Sequence, residues 1–461
     1  MNRAVRTRDL LARAASLLLG ENPEDGTAGD ARRALEALDY ATATELPASD
    51  GKPDPERMHR ASLLKTASRF VRLFQLAAPD APGLICFGAE LDPSTADPMH
   101  AGSPLVGVSG VGVSLQEAFQ GCVGEGVEYL SQLQTEHDPL LPSSPPHPFA
   151  EFAKPGRETS QFLMAWSSYR RAPDTEGSWY RATRLTDRCE VLLPADLCLR
   201  RPPQQCEVDL PFMLGTGSAA GTSWDAAALH GLLELIERDA ASLWWRGGRR
   251  GRTIPPQHEA SRMADRLLMQ LRANAATQRR SWLLDITTDL AVPCVAAVSC
   301  QPDGLGFAVG LAARLSLAAA ARSAVLEMCQ IELAQSVAAA KRRERGESAL
   351  NERDRAHLRR AAMINSDRCL LLQAVPEHTE HPPIAMTDPR AVFELIVRRL
   401  EEFDVESFGL DLTRPQFAIP AARVIAPGLQ LEPSRIVMTR LADTIARAGG
   451  GSRYTGDVAL I

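Results

Sequence analysis

Two glutamates one helical turn apart, Glu234 and Glu237, are the residues of this chain best placed to do chemistry. They follow a glycine-rich turn, GTGSAAG, in a stretch from Gly215 to Trp245 that contains no lysine. Residues three apart on a helix project side by side. A solvated helix face usually mixes lysine with glutamate, whereas this face carries alanine, glycine, His230 and two acids. We therefore expect both carboxylates to face protein or a ligand, because an unpaired buried carboxylate costs several kcal/mol.

The same spacing recurs in three segments of the chain. Each segment has a serine, an alanine four residues later, a glutamate after eleven residues and an acid or amide after fourteen. The pattern predicts three helices in one frame, which bring up to five carboxylates to one place. The three sets are Ser114, Ala118, Glu125 and Glu128; Ser223, Ala227, Glu234 and Glu237; and Ser316, Ala320, Glu327 and Gln330.

Five carboxylates in one place require cations to neutralise them. Oxygen ligands of this kind favour Mg²⁺, which typically enters a site with the phosphates of a nucleotide. The alternative for any single glutamate pair is a solvated face, but matching offsets in three helices favour a metal site. Gly121, Gly124 and Gly126 surround Glu125, and each costs about 1 kcal/mol relative to alanine inside a helix. We therefore expect a ligand to approach the backbone closely there.

Short strands alternate with these helices. GLICFGA from Gly83 and EVLLP at 190–194 predict strands, and the segments that start at Ser281 and Phe408 each predict a hairpin-like strand pair. Residues 63–78 predict one amphipathic helix, and 341–362 predict a polar helix with a solvated face. The proline-rich segment 138–156 predicts an exposed loop.

We predict an α+β fold with a pseudo-symmetric core of sheets covered by helices. Its domains are an N-terminal helical appendage, 1–80, and a larger domain, 81–461, that contains the three repeated segments. The glycine turn before Glu234 also presents amides to an anion at a helix N-terminus, although a plain tight turn is equally compatible with the sequence.

Composition restricts the function classes. The chain of 461 residues has a formal net charge of −6 and 45% hydrophobic residues, which excludes the basic character typical of nucleic-acid binders. Nine cysteines without a C-x-x-C pair favour reduced thiols, and no apolar run reaches the roughly 20 residues that span a bilayer. Arg13 interrupts the first apolar run, so we expect a helix there and not a signal peptide. A cytoplasmic protein is expected.

Five segments in order resemble the YcaO family over roughly residues 80–435. They are GVSLQEAFQGCVGEGVE, GTGSAAGTSWDAAALHGLLELIERDA, DITTDLAVP, the helix with Glu327 and Gln330, and DLTRPQFAIPAARVIAPGL. The resemblance implies an enzyme that uses ATP and Mg²⁺ to phosphorylate the oxygen of a peptide-backbone amide, in the maturation of a ribosomally made peptide.

The resemblance also implies roles for individual residues. The catalytic set is Glu234, Glu237 and Glu327, and the metal ligands are Glu125, Glu128, Glu234, Glu237 and Glu327. The nucleotide contacts are Arg238, Gly221, Thr222, Ser223, Asp225, Arg322 and Gln330.

Several activities remain open at this stage. The first is azoline formation, in which a Cys, Ser or Thr side chain closes a ring by cyclodehydration. Thioamide formation, an accessory role in methylthiolation of a ribosomal protein, and a non-catalytic scaffold that binds precursor peptide are the alternatives. Ala226 and Ser323 replace an acid and an arginine common in the family, which favours the scaffold. The expected substrate partner is a precursor peptide. The expected protein partner is a leader-binding protein, a TfuA-like protein or a flavin dehydrogenase, and a homodimer is also compatible with the sequence.

Overall fold

Antiparallel strands backed by helices make up most of the structure, a computed structural model that describes residues 3–20, 28–40, 54–143, 154–172, 176–273, 275, 278–377 and 381–461. The strands are β1 (Arg72–Leu76), β2 (Ile85–Leu91), β3 (Val106–Gly112), β4 (Leu141–Ser143), β5 (Gly177–Arg184), β6 (Glu190–Pro194), β7 (Ser218–Ala220), β8 (Arg280–Asp285), β9 (Cys294–Cys300), β10 (Ala308–Ala313), β11 (Phe408–Asp411) and β12 (Ala421–Ile425).

The helices differ widely in length, from one turn to eight. They are α1 (Arg3–Leu18), α2 (Ala28–Ala37), α3 (Pro55–Ala67), α4 (Leu115–Gln132), α5 (Arg157–Ser167), α6 (Ala195–Cys198), α7 (Trp224–Trp245), α8 (Glu259–Leu271), α9 (Leu317–Arg345), α10 (Glu352–Met363), α11 (Pro389–Glu401), α12 (Thr439–Ala448) and α13 (Ser452–Thr455). None of these helices, within the described ranges, combines the length and apolar character needed to cross a bilayer.

The strands form three sheets. Two are three-stranded, in the orders β1-β2-β3 and β10-β9-β8, and the third has the order β4-β5-β11-β12-β7 with β6 paired to β5. The predicted hairpin-like pairs are confirmed, because β8 pairs antiparallel with β9 and β11 with β12. All nine cysteines are free thiols, as the sequence predicts, and the mixture of helices with antiparallel sheets agrees with the predicted α+β class.

Three strand–helix units position the repeated glutamates. In each unit a strand at the edge of its sheet, β3, β7 or β10, leads through a short turn into α4, α7 or α9. Helix α7 lies in the largest hydrophobic cluster, where Ile236 and Trp244 are fully buried. The packing of α7 in this cluster holds the helix in place, and with it the opposite face of the helix, which carries Glu234 and Glu237.

The N-terminal helices share a hydrophobic cluster with α4. Leu64 and Phe70 pack in the same cluster as Phe119 and Val123, and β1 extends the sheet of β2 and β3. The boundary at residue 80 stays a prediction, but apolar contacts run across it.

Two sequence predictions of helices are wrong in detail. Residues 63–78 are not one helix, since α3 ends at Ala67 and Arg72–Leu76 form β1. The polar segment 341–362 is broken at Gly346, whose positive φ of 81° ends α9 before α10 begins. The predicted proline-rich loop lies largely outside the described residues, which include β4 at its start.

Candidate active site

A serine begins each of the three repeated helices. Ser114 Oγ accepts a hydrogen bond from the Glu117 amide at 3.1 Å, and Ser223 Oγ accepts one from the Ala226 amide at 3.1 Å. Ser316 Oγ accepts from the third residue of its helix in the same way, at 3.2 Å. These N-caps satisfy backbone donors that a helix leaves free at its start. The frame predicted from sequence is therefore set by identical caps.

The glutamate eleven residues after each cap is anchored to the preceding strand or turn. Glu125 Oε2 accepts from the Ser109 amide at 2.9 Å, Glu234 Oε2 from the Gly217 amide at 2.9 Å, and Glu327 Oε2 from the Leu311 amide at 2.7 Å. The repeated contact orients each carboxylate with one oxygen on the backbone. The other oxygen makes no hydrogen bond among the described residues in Glu125 and Glu327, whereas Glu234 Oε1 accepts one from Arg238 at 3.3 Å.

All five predicted carboxylates line one cavity of about 530 Å³. The positions seven residues after the caps also reach it from all three helices, as Gly121, His230 and Ser323. The three units therefore contribute equivalent positions to the wall of one cavity. Its carboxylates are Glu125, Glu128, Glu234, Glu237 and Glu327.

The glycines on α4 differ in their roles. Gly124 lines the cavity, and a Cβ there would meet no atom within 4 Å, so the backbone is open to a ligand. Gly126 faces the core instead, where a Cβ would lie 2.6 Å from the ring of Phe70. The prediction of close backbone approach thus applies to one side of the helix, and packing explains the other.

Burial and mutual repulsion raise the pKa values of four of the acids. Burial, with repulsion from Glu237, raises the pKa of Glu327 to about 7. Burial also raises the pKa of Glu237 and of Glu125. The pKa of Glu128 lies well above its ordinary value because of burial and the nearby charges of Glu234 and Glu125. Burial and the closeness of like charges therefore both disfavour full ionisation of these four acids.

Arg238 is the main cation of the site. Burial opposes its charge, but the carboxylates of Glu237 and Glu234 outweigh that effect and raise the pKa of the guanidinium. Its nitrogens lie 3.3 Å from an oxygen of Glu234 and 3.3 Å from an oxygen of Glu237. One arginine bridging two acids leaves Glu125, Glu128 and Glu327 without an ion pair among the described residues.

The donor set fits Mg²⁺ only in company with another oxygen donor. In the described part of the chain, no three His, Cys, Asp or Glu side chains lie close enough together to hold one ion. Mg²⁺ in nucleotide sites is usually bound by one or two carboxylates together with phosphates. Carboxylates spread around the walls of a cavity, three of them with one oxygen held by a backbone amide, suit that arrangement better than a cage made by protein alone.

The predicted nucleotide contacts are only partly in the cavity. Arg238 lines it, whereas Gln330 Nε2 donates to Ser109 Oγ at 2.9 Å and Arg322 forms a two-pronged ion pair with Glu117 at 2.6 and 2.9 Å. The Gly221 amide donates to the Pro420 carbonyl at 2.9 Å, so its predicted contact with nucleotide stays a prediction.

The remaining predicted contacts lie at the start of α7. Ser223 is its cap, Thr222 is exposed, and Asp225 lies near Arg390 of α11. None of the three is among the residues that line the cavity. Their contact with nucleotide stays a prediction.

Sequence reasoning missed Arg314. It lines the cavity near Glu237 and Glu327, whose pKa values it lowers in part, and its Nη1 donates to the Ala313 carbonyl at 2.8 Å. The repeat contains a signal for it, since the position two residues before the cap is glycine in the other two units, Gly112 and Gly221. An arginine where the other two units have glycine indicates that the third unit contributes a positive charge that the other two do not.

The architecture and the site define an α+β protein with a carboxylate-lined cavity between three strand–helix units. The chain belongs to the YcaO family, because the family model described as YcaO cyclodehydratase, ATP- and Mg²⁺-binding, matches residues 109–430. This membership confirms the family expected from sequence and, with it, ATP and Mg²⁺ as cofactors. The members are ATP-dependent enzymes.

Similar proteins of known and unknown function agree with the fold. A heterocyclase solved in complex with substrate and cofactor has 22% identity and a TM-score of 0.64, over 87% of this chain and 55% of that chain. YcaO from Methanopyrus kandleri, solved with AMPPCP and Mg²⁺, has 18% identity and a TM-score of 0.55, over 82% and 91% of the two chains. This chain thus spans little more than half of the first heterocyclase.

A sequence relative is an uncharacterized protein of Methanothermobacter thermautotrophicus. It is 30% identical over 275 residues, which are 57% of this chain and 68% of the relative. Together these likenesses confirm the predicted α+β, YcaO-like fold.

Proposed function

We propose that this protein uses ATP and Mg²⁺ to phosphorylate a backbone amide oxygen of a precursor peptide, and that a Cys, Ser or Thr side chain of the peptide then closes an azoline ring. The observation that carries the proposal is the convergence of five carboxylates, three of them anchored alike, on one cavity. The family description and the heterocyclase fold support the same class of reaction.

The chain's own residues would hold and neutralise the reactants. Glu125, Glu234 and Glu327 line the cavity, and each keeps one oxygen on a backbone amide, so the second oxygen of each would be the ligand for Mg²⁺. Bound MgATP would supply the phosphoryl group and the cations that offset these acids. Positioning and charge neutralisation are most of what phosphoryl transfer requires of a protein.

Two arginines complete the set. Arg238 bridges Glu234 and Glu237 and fixes their separation, while Arg314 places a second positive charge beside Glu237 and Glu327. We assign Arg314 to contact with phosphate, since no acid of the described chain lies within ion-pair distance of it and charge-assisted bonds to phosphate are strong.

The proposal includes the domain boundary, the location and the partners that the sequence predicts. Residues 1–80 form the appendage and 81–461 the catalytic part of a cytoplasmic protein. A leader-binding protein, a TfuA-like protein or a flavin dehydrogenase assists it. The heterocyclase neighbour was solved with its substrate and a cofactor, which supports a substrate and a cofactor at the corresponding site of this chain.

The test combines activity with matched variants. The protein is incubated with ATP, Mg²⁺ and synthetic peptides containing Cys, Ser or Thr, and phosphate release and peptide mass are followed. We expect each ring to lower the mass by one water. Glu234→Gln and Glu327→Gln should each reduce the rate at least about a hundredfold, by analogy with loss of one transition-state donor, whereas Glu344→Gln, exposed on α9, should not.

Two results would change the assignment. Exchange of oxygen for sulfur in the peptide would favour thioamide formation over azoline formation. Full turnover by both cavity variants would show that the carboxylates do not hold the metal.

A further inference from the structure

A second cavity lies at the C-terminal end of α4. It measures about 260 Å³, and most of its wall is apolar, including Val106, Leu133, Leu199 and Leu214. Tyr129 and Arg200 also line it. Pockets for whole small-molecule ligands usually measure about 300–1,000 Å³. This one therefore suits a single side chain better than a cofactor.

Helix α4 connects the two cavities. Gln120 and Glu128 both line the carboxylate cavity and lie eight residues apart, which is about 12 Å along a helix. Tyr129, the next residue, lines the second cavity. Arg200, which lines the second cavity, lies close enough to Glu128 for their charges to interact, so the two cavities are neighbours at this end of α4.

Arg200 lines this second cavity and has N–H donors that no acceptor of the described residues uses. Its guanidinium lies 5.0 Å from the ring centroid of Tyr129, and its Nε donates to Gln132 Oε1 at 2.8 Å. Its two terminal nitrogens make no hydrogen bond, and no acid forms an ion pair with it, in the described residues. A guanidinium has five N–H donors, so most of those of Arg200 remain for a ligand.

The neighbouring charges are already satisfied. Arg201 Nη1 lies 3.0 Å from Asp196 and 2.8 Å from Glu207. This closed set contrasts with Arg200, so a ligand that carries a carboxylate or carbonyl oxygen would bind at Arg200 and not at Arg201.

Exposed apolar side chains lie in or next in sequence to the wall of the second cavity. Leu105 is 51% exposed, Met213 48% and Leu210, itself in the wall, 38%. Leu105 and Met213 adjoin wall residues Val106 and Leu214 in sequence. Exposed apolar patches on soluble proteins commonly mark binding surfaces.

We infer that the second cavity is a specificity pocket for the peptide substrate. It takes one large apolar side chain near the amide being modified, while Arg200 donates to a carbonyl or carboxylate oxygen of the same residue. The inference rests on the proposed function, since it assumes a peptide in the carboxylate site. It adds the class of substrate: peptides with an apolar residue beside the modified position.

The test uses a small probe that mimics one residue. N-acetyl-4-fluorophenylalanine and its neutral amide are titrated with the full chain, and ¹⁹F line broadening gives the dissociation constants. Ser103→Phe fills the cavity from its rim, where Ser103 makes no side-chain hydrogen bond in the described structure. We expect this variant to weaken both probes at least tenfold, about 1.4 kcal/mol.

Arg200→Gln separates the charge from the apolar contact. It should weaken the carboxylate probe at least about tenfold, because charge-assisted hydrogen bonds from a guanidinium to a carboxylate are strong, and the amide probe by less. Met164→Ser, on a residue 74% exposed and outside the cavity, is the matched control and should bind both probes like the wild type.

The remaining outcomes decide whether the second cavity is a peptide pocket and whether the proposed function holds. Equal binding by wild type and Ser103→Phe, or displacement of the probe by adenosine alone, overturns the pocket as a peptide site. Binding of AMPPCP with Mg²⁺ to the wild type is measured in parallel. Its absence overturns the proposed function, whereas its presence without any probe binding overturns only the specificity pocket.

Discussion

Glu327 illustrates how a metal site can destabilise the protein that builds it. Its pKa of about 7 means that the metal-free folded protein holds a proton which the unfolded chain, with an ordinary value of 4.5, has lost by neutral pH. The unfolding free energy of the metal-free protein therefore falls as pH rises from about 4.5 to 7. Above that window the full penalty of the buried charge is present.

Glu327→Gln should remove this penalty. In metal-free protein at pH 8 we expect the variant to be more stable by about 1–3 kcal/mol, because a neutral amide can still accept the Leu311 hydrogen bond. Thermal denaturation at pH 8 and pH 5 provides the measurement. The gain should shrink at pH 5, and exposed Glu344→Gln should show none. A lower melting temperature for Glu327→Gln at pH 8 would contradict the electrostatic account.

Among individual residues, the sequence predicted the glutamates of the site better than its arginines. The glutamates share a periodic frame, so their convergence follows from the spacing alone. Arg314 enters from a strand end and Arg200 from a turn after α6, and neither belongs to a helical repeat. Arg322 is sequence-adjacent to a cavity residue, but α9 directs its side chain to Glu117. Distant contacts of this kind cannot be derived from local spacing.

The helices owe their common frame to the three serine caps. Ser114, Ser223 and Ser316 each accept from the third helical residue at 3.1 to 3.2 Å. Replacement of one cap by alanine should cost about 1 kcal/mol, and aspartate at the same place should restore most of it. Chemical denaturation of the three alanine variants gives the values. Unchanged stability in all three would show that packing, and not the caps, sets the frame.

Element boundaries show where local pattern fails. Residues 72–76 fit an amphipathic helix by spacing, but all five pair with β2, from Arg72 opposite Glu90 to Leu76 opposite Cys86. Hydrogen bonds from a partner strand decide such short ambiguous segments. Strands β8, β9, β11 and β12 were predictable because two separate segments share the same alternation and turn.

At the scale of the whole molecule, the N-terminal helices pack in the same hydrophobic cluster as α4, which carries Glu125 and Glu128 of the site. Leu64 is fully buried in the cluster that contains Phe119 of α4. Leu64→Ala should therefore cost about 2–5 kcal/mol and lower a single unfolding transition. The control is Met58→Ala on the same helix, at a position 50% exposed. Loss confined to a separate early transition would instead show that residues 1–80 fold independently.

The central claim is that five acids of three helices hold Mg²⁺ together with a nucleotide. Calorimetric titration of AMPPCP into the protein, with and without Mg²⁺, tests it most directly, in wild type and in single glutamine variants of Glu125, Glu128, Glu234, Glu237 and Glu327. We predict binding that requires Mg²⁺ and weakens at least about tenfold, or 1.4 kcal/mol, in each variant, with Glu344→Gln unaffected. Binding that is independent of Mg²⁺, or unchanged across the five variants, would contradict it.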